Sequence, residues 1–196
     1  MNLVDRVKKL LVAPTKEWPV IAAEPATVAG LYTQYVMILA AIPAIGTFIG
    51  FSIVGYSGLG AGPAYRIPMA AGLAGMVLNY ALTLGAVYVI ALVIDKLAPN
   101  FAGEQDFMQA FKVAAYFPTA SWLGGVFSIF PELAVIGILA SLYSLWLLYT
   151  GLGLLMKVPE DKSIAYTAVV VLVAVVIIFV IAVVAALAMP ARTRGF

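Results

Sequence analysis

Long uncharged stretches alternate with short charged ones along this chain. Glu24 and Arg66 enclose 41 uncharged residues, Arg66 and Asp95 enclose 28, Lys112 and Glu132 enclose 19, Glu132 and Lys157 enclose 24, and Lys162 and Arg192 enclose 29. A helix that crosses a bilayer needs about 20 predominantly apolar residues. The gaps therefore predict five spans, near 31–54, 69–94, 109–130, 133–156 and 164–189, with a glycine-rich loop, Gly55 to Pro68, after the first. The last gap is dense in Val and Ile, but it has neither the turns nor the alternation of barrel strands. Lipid gives the backbone no hydrogen bonds, so a run of this kind becomes a helix. The expected fold is an all-α integral membrane protein with five transmembrane helices.

Ahead of the first span, residues 2–12 place Leu3, Val4, Val7, Leu10 and Leu11 at helical spacing, with Arg6, Lys8 and Lys9 among the polar positions. Charges interrupt the apolar run, which a secretory signal would not allow. The segment is expected to be an amphipathic helix, either lying on the inner leaflet or packed on the bundle. In the first case Arg6, Lys8, Lys9 and Trp18 are the candidate contacts with the lipid surface. Pro14, Pro19 and Pro25 break the chain after it. The expected organisation is an N-terminal segment at 1–30, a five-span membrane domain at 31–189 and a short tail at 190–196.

Composition removes whole classes of chemistry. Of 196 residues, 64% are hydrophobic and 10% charged, against about 25% charged in a soluble domain. Cysteine and histidine are absent. Thiol nucleophiles, disulfides, the usual zinc sites and His-based acid–base catalysis are therefore excluded. No enzymatic activity, cofactor or metal is expected, and a net charge of +2 suggests no nucleic-acid partner.

Positive charge orients the chain. With five spans, Arg6, Lys8, Lys9, Lys16, Lys96, Lys112, Lys157 and Lys162 share one side, and Arg66, Arg192 and Arg194 the other. Cytoplasmic loops carry the excess of Lys and Arg. The expectation is a multi-pass protein of the inner or plasma membrane with a cytoplasmic N-terminus and an external C-terminus.

Polar residues inside the spans are few. Asp106 followed by Gln109 fits a capping box and predicts a helix from Phe107. Pro118 should kink that helix and Gly124–Gly125 loosen it, close to Tyr116, Thr119 and Ser121. Span two carries Gly72, Gly75, Asn79, Thr83 and Ala86 on one face, and span four carries Gly137, Ser141, Ser144 and Gly151. Small residues let helices approach, and hydroxyls and amides bond across the contact. Asn79, Thr83, Tyr116, Pro118, Ser121, Ser141 and Ser144 are the candidate cavity or helix-contact residues. Ser141, Ser144 and Tyr116 are the expected partners of Asn79. Gly46 and Gly50 form a GxxxG pair, a common motif in membrane helices. Asp95 and Glu132 are the carboxylates nearest the membrane, at opposite faces.

Three segments resemble the Yip-domain family (Ypt-interacting protein type). PTKEWPVIAAE (14–24) resembles the lead-in of prokaryotic members. LAPNFAGEQDFMQAFKVAAYFPTASWLGGV (97–126) is similar to the central signature, with Gly103, Phe107, Ala110, Lys112, Tyr116 and Pro118 at matching places. LYSLWLLYTGLGLLMKVPEDKSIAYT (142–167) resembles the fourth span and the loop after it. The resemblance implies five spans, a cytoplasmic N-terminus and a role in membrane organisation or trafficking. Eukaryotic members are associated with lipid-modified Rab/Ypt GTPases. Here the first span starts by about residue 31, so their acidic interaction region has no clear counterpart, which counts against Rab-type GTPase binding. The compact form is similar to bacterial and archaeal members. The expected function is a non-enzymatic adaptor or scaffold, whose partners are the lipid bilayer, further copies of the chain or other membrane proteins. The alternative is a small transporter or channel for an uncharged or lipid-like solute, with its path through spans two to four.

Overall fold

The computed structural model describes residues 2–55, 66–130 and 133–188, and every regular element among them is helical. Helix α1 (Leu3–Val12) starts at Asn2, whose Oδ1 accepts the Val4 amide at 3.0 Å. Such a cap satisfies an N–H that has no partner within the helix. Pro14 begins α2 (Pro14–Ala23), where its missing N–H is no loss. After Pro25 one rod runs from Val28 to Val54: α3 (Val28–Leu31), a π turn (Tyr32–Val36), α4 (Met37–Phe48) and a second π turn (Ile49–Val54). Helix α5 (Met69–Leu97) follows and tightens into a 3-10 turn at Ala98–Phe101. Then come α6 (Phe107–Tyr116), α7 (Thr119–Gly124), a 3-10 turn (Gly125–Ile129), α8 (Ala134–Leu155) and α9 (Glu160–Ala188).

Four helical stretches among the described residues are long and apolar enough to cross a membrane: Val28–Val54, Met69–Phe101, Val135–Leu155 and Glu160–Val184. The expected span near 109–130 is not one continuous helix. The chain ends α6 at Tyr116 and restarts at Thr119, because Pro118 has no N–H and its ring clashes with the preceding turn. Asp106 caps α6 as expected, accepting the amides of Met108 (2.9 Å) and Gln109 (3.1 Å). The Gln109 side chain does not close the capping box; its Nε2 donates to the Ala22 carbonyl at 3.1 Å.

The broken segment α6–α7 forms the centre. Helix α5 packs along α6 and α8 along α7, while α4 lies against α5 and against the 3-10 turn that follows α7. Every residue from Ala110 to Tyr116 is buried. Helix α9 rests on α5 and α8 and turns Leu172, Val175, Ile178 and Phe179 outward. An apolar outer face of this extent is a liability in water and the normal state in lipid. At one end, the Glu104 amide donates to the Met156 carbonyl at 2.8 Å and Lys157 pairs with Glu104 at 2.6 Å. The segments that follow α5 and α8 therefore share that end. The Gly55–Pro68 loop falls largely outside the described residues, as do Glu132, Arg192 and Arg194.

Gly46 and Gly50 find their partner within the chain. A Cβ at Gly46 would lie 2.5 Å from the Gly125 carbonyl oxygen, and one at Gly50 would collide with the Ser128 carbonyl. The pair thus sets how closely α4 crosses the 3-10 turn. Gly50→Val should overpack this crossing, destabilise the fold by about 1–3 kcal/mol and lower the melting temperature in detergent. Gly85 faces open space. Gly85→Ala should melt at or above the parent, since Gly in a helix interior is worse than Ala by about 0.5–1 kcal/mol. Equal melting of the two variants would mean that the crossing is loose.

Candidate functional site

The N-terminal segment is clamped onto the central helix by charge. Leu3, Arg6, Val7 and Leu10 sit at i, i+3, i+4 and i+7, so Arg6 shares the inward face of α1. Arg6 is only 4% exposed, and its guanidinium pairs with Glu17 on α2 and with Glu24 just beyond it. Its Cζ lies 5.9 Å from the ring centroid of Tyr116, a cation–π distance. Burial works against the charge, but the Glu24 hydrogen bond and the nearby Tyr116 and carboxylates hold its pKa above the ordinary arginine value. A buried charge is tolerated on such terms: paired, and with its remaining donors used.

Lys112 makes the second half of the clamp. Its ammonium donates to the carbonyls of Ala22 (2.9 Å) and Glu24 (2.8 Å), at the C-terminal end of α2. The last carbonyls of a helix have no internal partner, and a cation there meets the negative end of the helix dipole. Trp18 is the apolar pin. It is fully buried, its Nε1 donates to Thr150 Oγ1 at 3.0 Å, and its ring lies where a Cβ on Gly151 would approach to 2.7 Å. Tyr143 Oη reaches back from α8 to the Leu11 carbonyl at 2.6 Å.

A cleft of about 500 Å³ opens beside this clamp, lined by Glu24, Thr27, Gln34, Tyr35 and Tyr116 among others. Tyr35 and Tyr116 form part of its wall, with ring centroids 4.5 Å apart, and the Tyr35 and Thr119 hydroxyls are 2.7 Å apart. Thr119 in turn donates to the Tyr116 carbonyl. Beyond the break, the Ser121 amide donates to Ser144 Oγ at 2.9 Å, and Ser121 Oγ donates to the Pro118 carbonyl at 2.8 Å. Ser144 and Ser121 are thus brought together at the break, where an amide needs a partner.

Other expected groupings do not form. Arg6 and Trp18 are interior residues and not surface contacts, because ion pairs and packing hold them inside; Lys8 and Lys9 are exposed. Asn79 does not meet Ser141, Ser144 or Tyr116. It faces outward on α5, its Oδ1 accepting Thr83 Oγ1 at a long 3.5 Å. Ser141 turns back to its own helix, at the Gly137 carbonyl (2.9 Å). Pro118 is buried between the two groups. Tyr35, Glu17, Glu24 and Lys112 complete the site; sequence reasoning named Lys112 only as a position of the family signature and as an orienting charge, and did not single out the other three as site residues. The inward spacing of Arg6 was the signal that it needed partners.

Removing the guanidinium leaves Glu17 buried without its counter-charge. Arg6→Gln should destabilise the fold by about 3 kcal/mol, the lower end for breaking a buried pair. Lys9→Gln, at an exposed position, should change stability by under about 0.5 kcal/mol. Thermal melts in detergent compare the two directly; parity between them would remove the clamp.

The Yip1 domain profile matches residues 8–183, a range that takes in Trp18, Lys112, the break and nearly all of the four apolar stretches, with Arg6 just before it. Two relatives are the inner membrane proteins YohC of Escherichia coli strains K12 and O6:H1 (CFT073). Each is 30% identical over 158 residues, which is 79% of this chain and 80% of the relative. No solved structure matches the chain. An all-helical, multi-pass membrane bundle matched by the Yip1 profile over nearly its whole length belongs to the Yip1-domain family.

Proposed function

We propose that the chain is a non-enzymatic, five-crossing scaffold or adaptor of the inner membrane, with its N-terminus in the cytoplasm. The carrying observation is the clamp. A segment outside the apolar stretches is tied to the central helix by Arg6 and Lys112 and to α8 by Trp18, giving a preformed polar surface and a cleft at one end. Rigid ends of this kind present a surface to a partner without paying ordering entropy on each encounter. Lys8, Lys9 and Lys16 lie exposed on the same segment and suit an anionic leaflet, at about 1 kcal/mol per charge.

The third crossing is the broken segment. Helix α6 starts at the end shared by Glu104 and Met156, while α8, which finishes there, starts at the other end. Residues 107–129 join the two. These 23 residues reach about 35 Å at helical rise, enough for a hydrocarbon core of about 30 Å. Five crossings put eight of eleven Lys and Arg on the N-terminal side.

Two measurements test this reading. The chain has no cysteine, so single replacements label without background. Lys162→Cys should react with an impermeant maleimide only after the membrane is opened from the cytoplasmic side, and Arg66→Cys from outside. Labelling of both from one side would overturn the five-crossing topology. In proteoliposomes the scaffold reading predicts no solute flux above protein-free vesicles; saturable flux abolished by Tyr116→Trp would replace it with the transporter reading.

A further inference from the structure

Far from the clamp, the seam between α4 and α5 encloses a cavity of about 210 Å³, with Thr47, Ser52, Gly72, Gly75, Met76 and Asn79 in its lining. Ser52 is the unusual member. It is 7% exposed, and its Oγ is buried with no hydrogen-bond partner among the described residues. A serine in a membrane helix ordinarily donates to a carbonyl of its own preceding turn. Ser52 lies in the π turn Ile49–Val54, where that register is shifted, and its Oγ points toward Gly72, whose missing side chain leaves room for it. An orphaned hydroxyl in an apolar setting calls for a partner.

Position along the bilayer narrows the chemistry. From Arg66 to Asp95 is 29 residues, about 44 Å at helical rise, which matches a membrane measured from headgroup to headgroup. Gly72, and Ser52 opposite it, then fall at the outer edge of the hydrocarbon, the level of glycerol esters. Asn79 lies about 10 Å deeper, with Thr83 on its oxygen. At the mouth, the Ile67 amide donates to the Phe51 carbonyl at 2.9 Å, which fixes Arg66 beside the opening. A hydroxyl donor at ester depth, a cation at phosphate depth and an apolar groove below them describe one lipid. We infer that this seam holds one chain of a diacyl phospholipid, with Ser52 donating to an ester carbonyl and Arg66 serving the phosphate. The site is independent of the adaptor role and requires only that α5 crosses the membrane.

The test uses the full-length protein, stripped of lipid by detergent exchange. It is titrated with phosphatidylglycerol carrying ester-linked chains and with the ether-linked analogue, which lacks the carbonyl. Native mass spectrometry counts bound lipid. The parent should take up one ester-linked lipid first, about fivefold tighter than the ether analogue, the factor given by a net hydrogen bond of about 1 kcal/mol. Ser52→Ala should erase that preference, and Ala44→Leu, which extends a larger side chain from a further lining position into the cavity, should lose the first binding step. Equal uptake of both lipids by the parent, or graded uptake without a first step, would mean annular lipid only and overturn the site. Retention of the first step in Ala44→Leu would also overturn it. If Ala44→Leu does not fold, the ester-against-ether comparison of the parent with Ser52→Ala decides alone.

Discussion

The bundle depends on how one break in a central helix is sealed. Pro118 interrupts the segment that α4, α5 and α8 pack against, in surroundings where water cannot satisfy the freed backbone groups. Side chains do so instead. Ser144 takes the Ser121 amide, Ser121 and Thr119 return hydroxyls to the carbonyls of Pro118 and Tyr116, and Tyr35 holds Thr119 from the neighbouring rod. Tertiary contacts therefore supply bonds that an unbroken helix would make for itself. This couples α4, α8 and the central segment more tightly than apolar packing in lipid would, since lipid tails compete with side chains for every apolar face.

The break also explains the clamp. Two residues before Pro118, Tyr116 receives the Arg6 guanidinium over its ring, and one turn earlier Lys112 closes the end of α2. The N-terminal segment thus binds the half of the central helix that leads into the interruption. Its charges are buried but satisfied: Arg6 by two carboxylates, Lys112 by two carbonyls at the negative end of a helix. A cation left unpaired at either place would be strongly destabilising. Charge and backbone together fix the angle at which the amphipathic segment meets the bundle.

Much of this was legible in the sequence, and the illegible part has a physical pattern. Four of the five expected apolar runs, the Asp106 cap and the interruption at Pro118 are local events, decided by residues a few positions apart, and they appear where the sequence places them. Partners distant in the chain were not legible. Lys112 bonds to carbonyls 88 and 90 residues away, and a backbone acceptor leaves no mark on the sequence. Asn79 was placed on the correct helix, but helical spacing defines a face without naming the neighbour; here Gly72 and Gly75 turn to the rod Val28–Val54, and Asn79 lies at the exposed edge of that seam. Arg6 and Trp18 read as surface residues because charge and amphipathic rings usually are. Glu17 and Glu24, brought within reach of Arg6 by the bend at Pro14, reverse that expectation.

Hydrogen–deuterium exchange of the full chain in lipid nanodiscs tests the sealed break most directly. With the Ser121 amide held by Ser144 and the Trp122 amide by the Pro118 carbonyl, the amides of Ser121 and Trp122 exchange as slowly as those of Ala110–Tyr116 on the same central segment. Exchange at Ser121 and Trp122 as fast as at Gln105 and Asp106 would show water at the break, and a central helix held by packing alone.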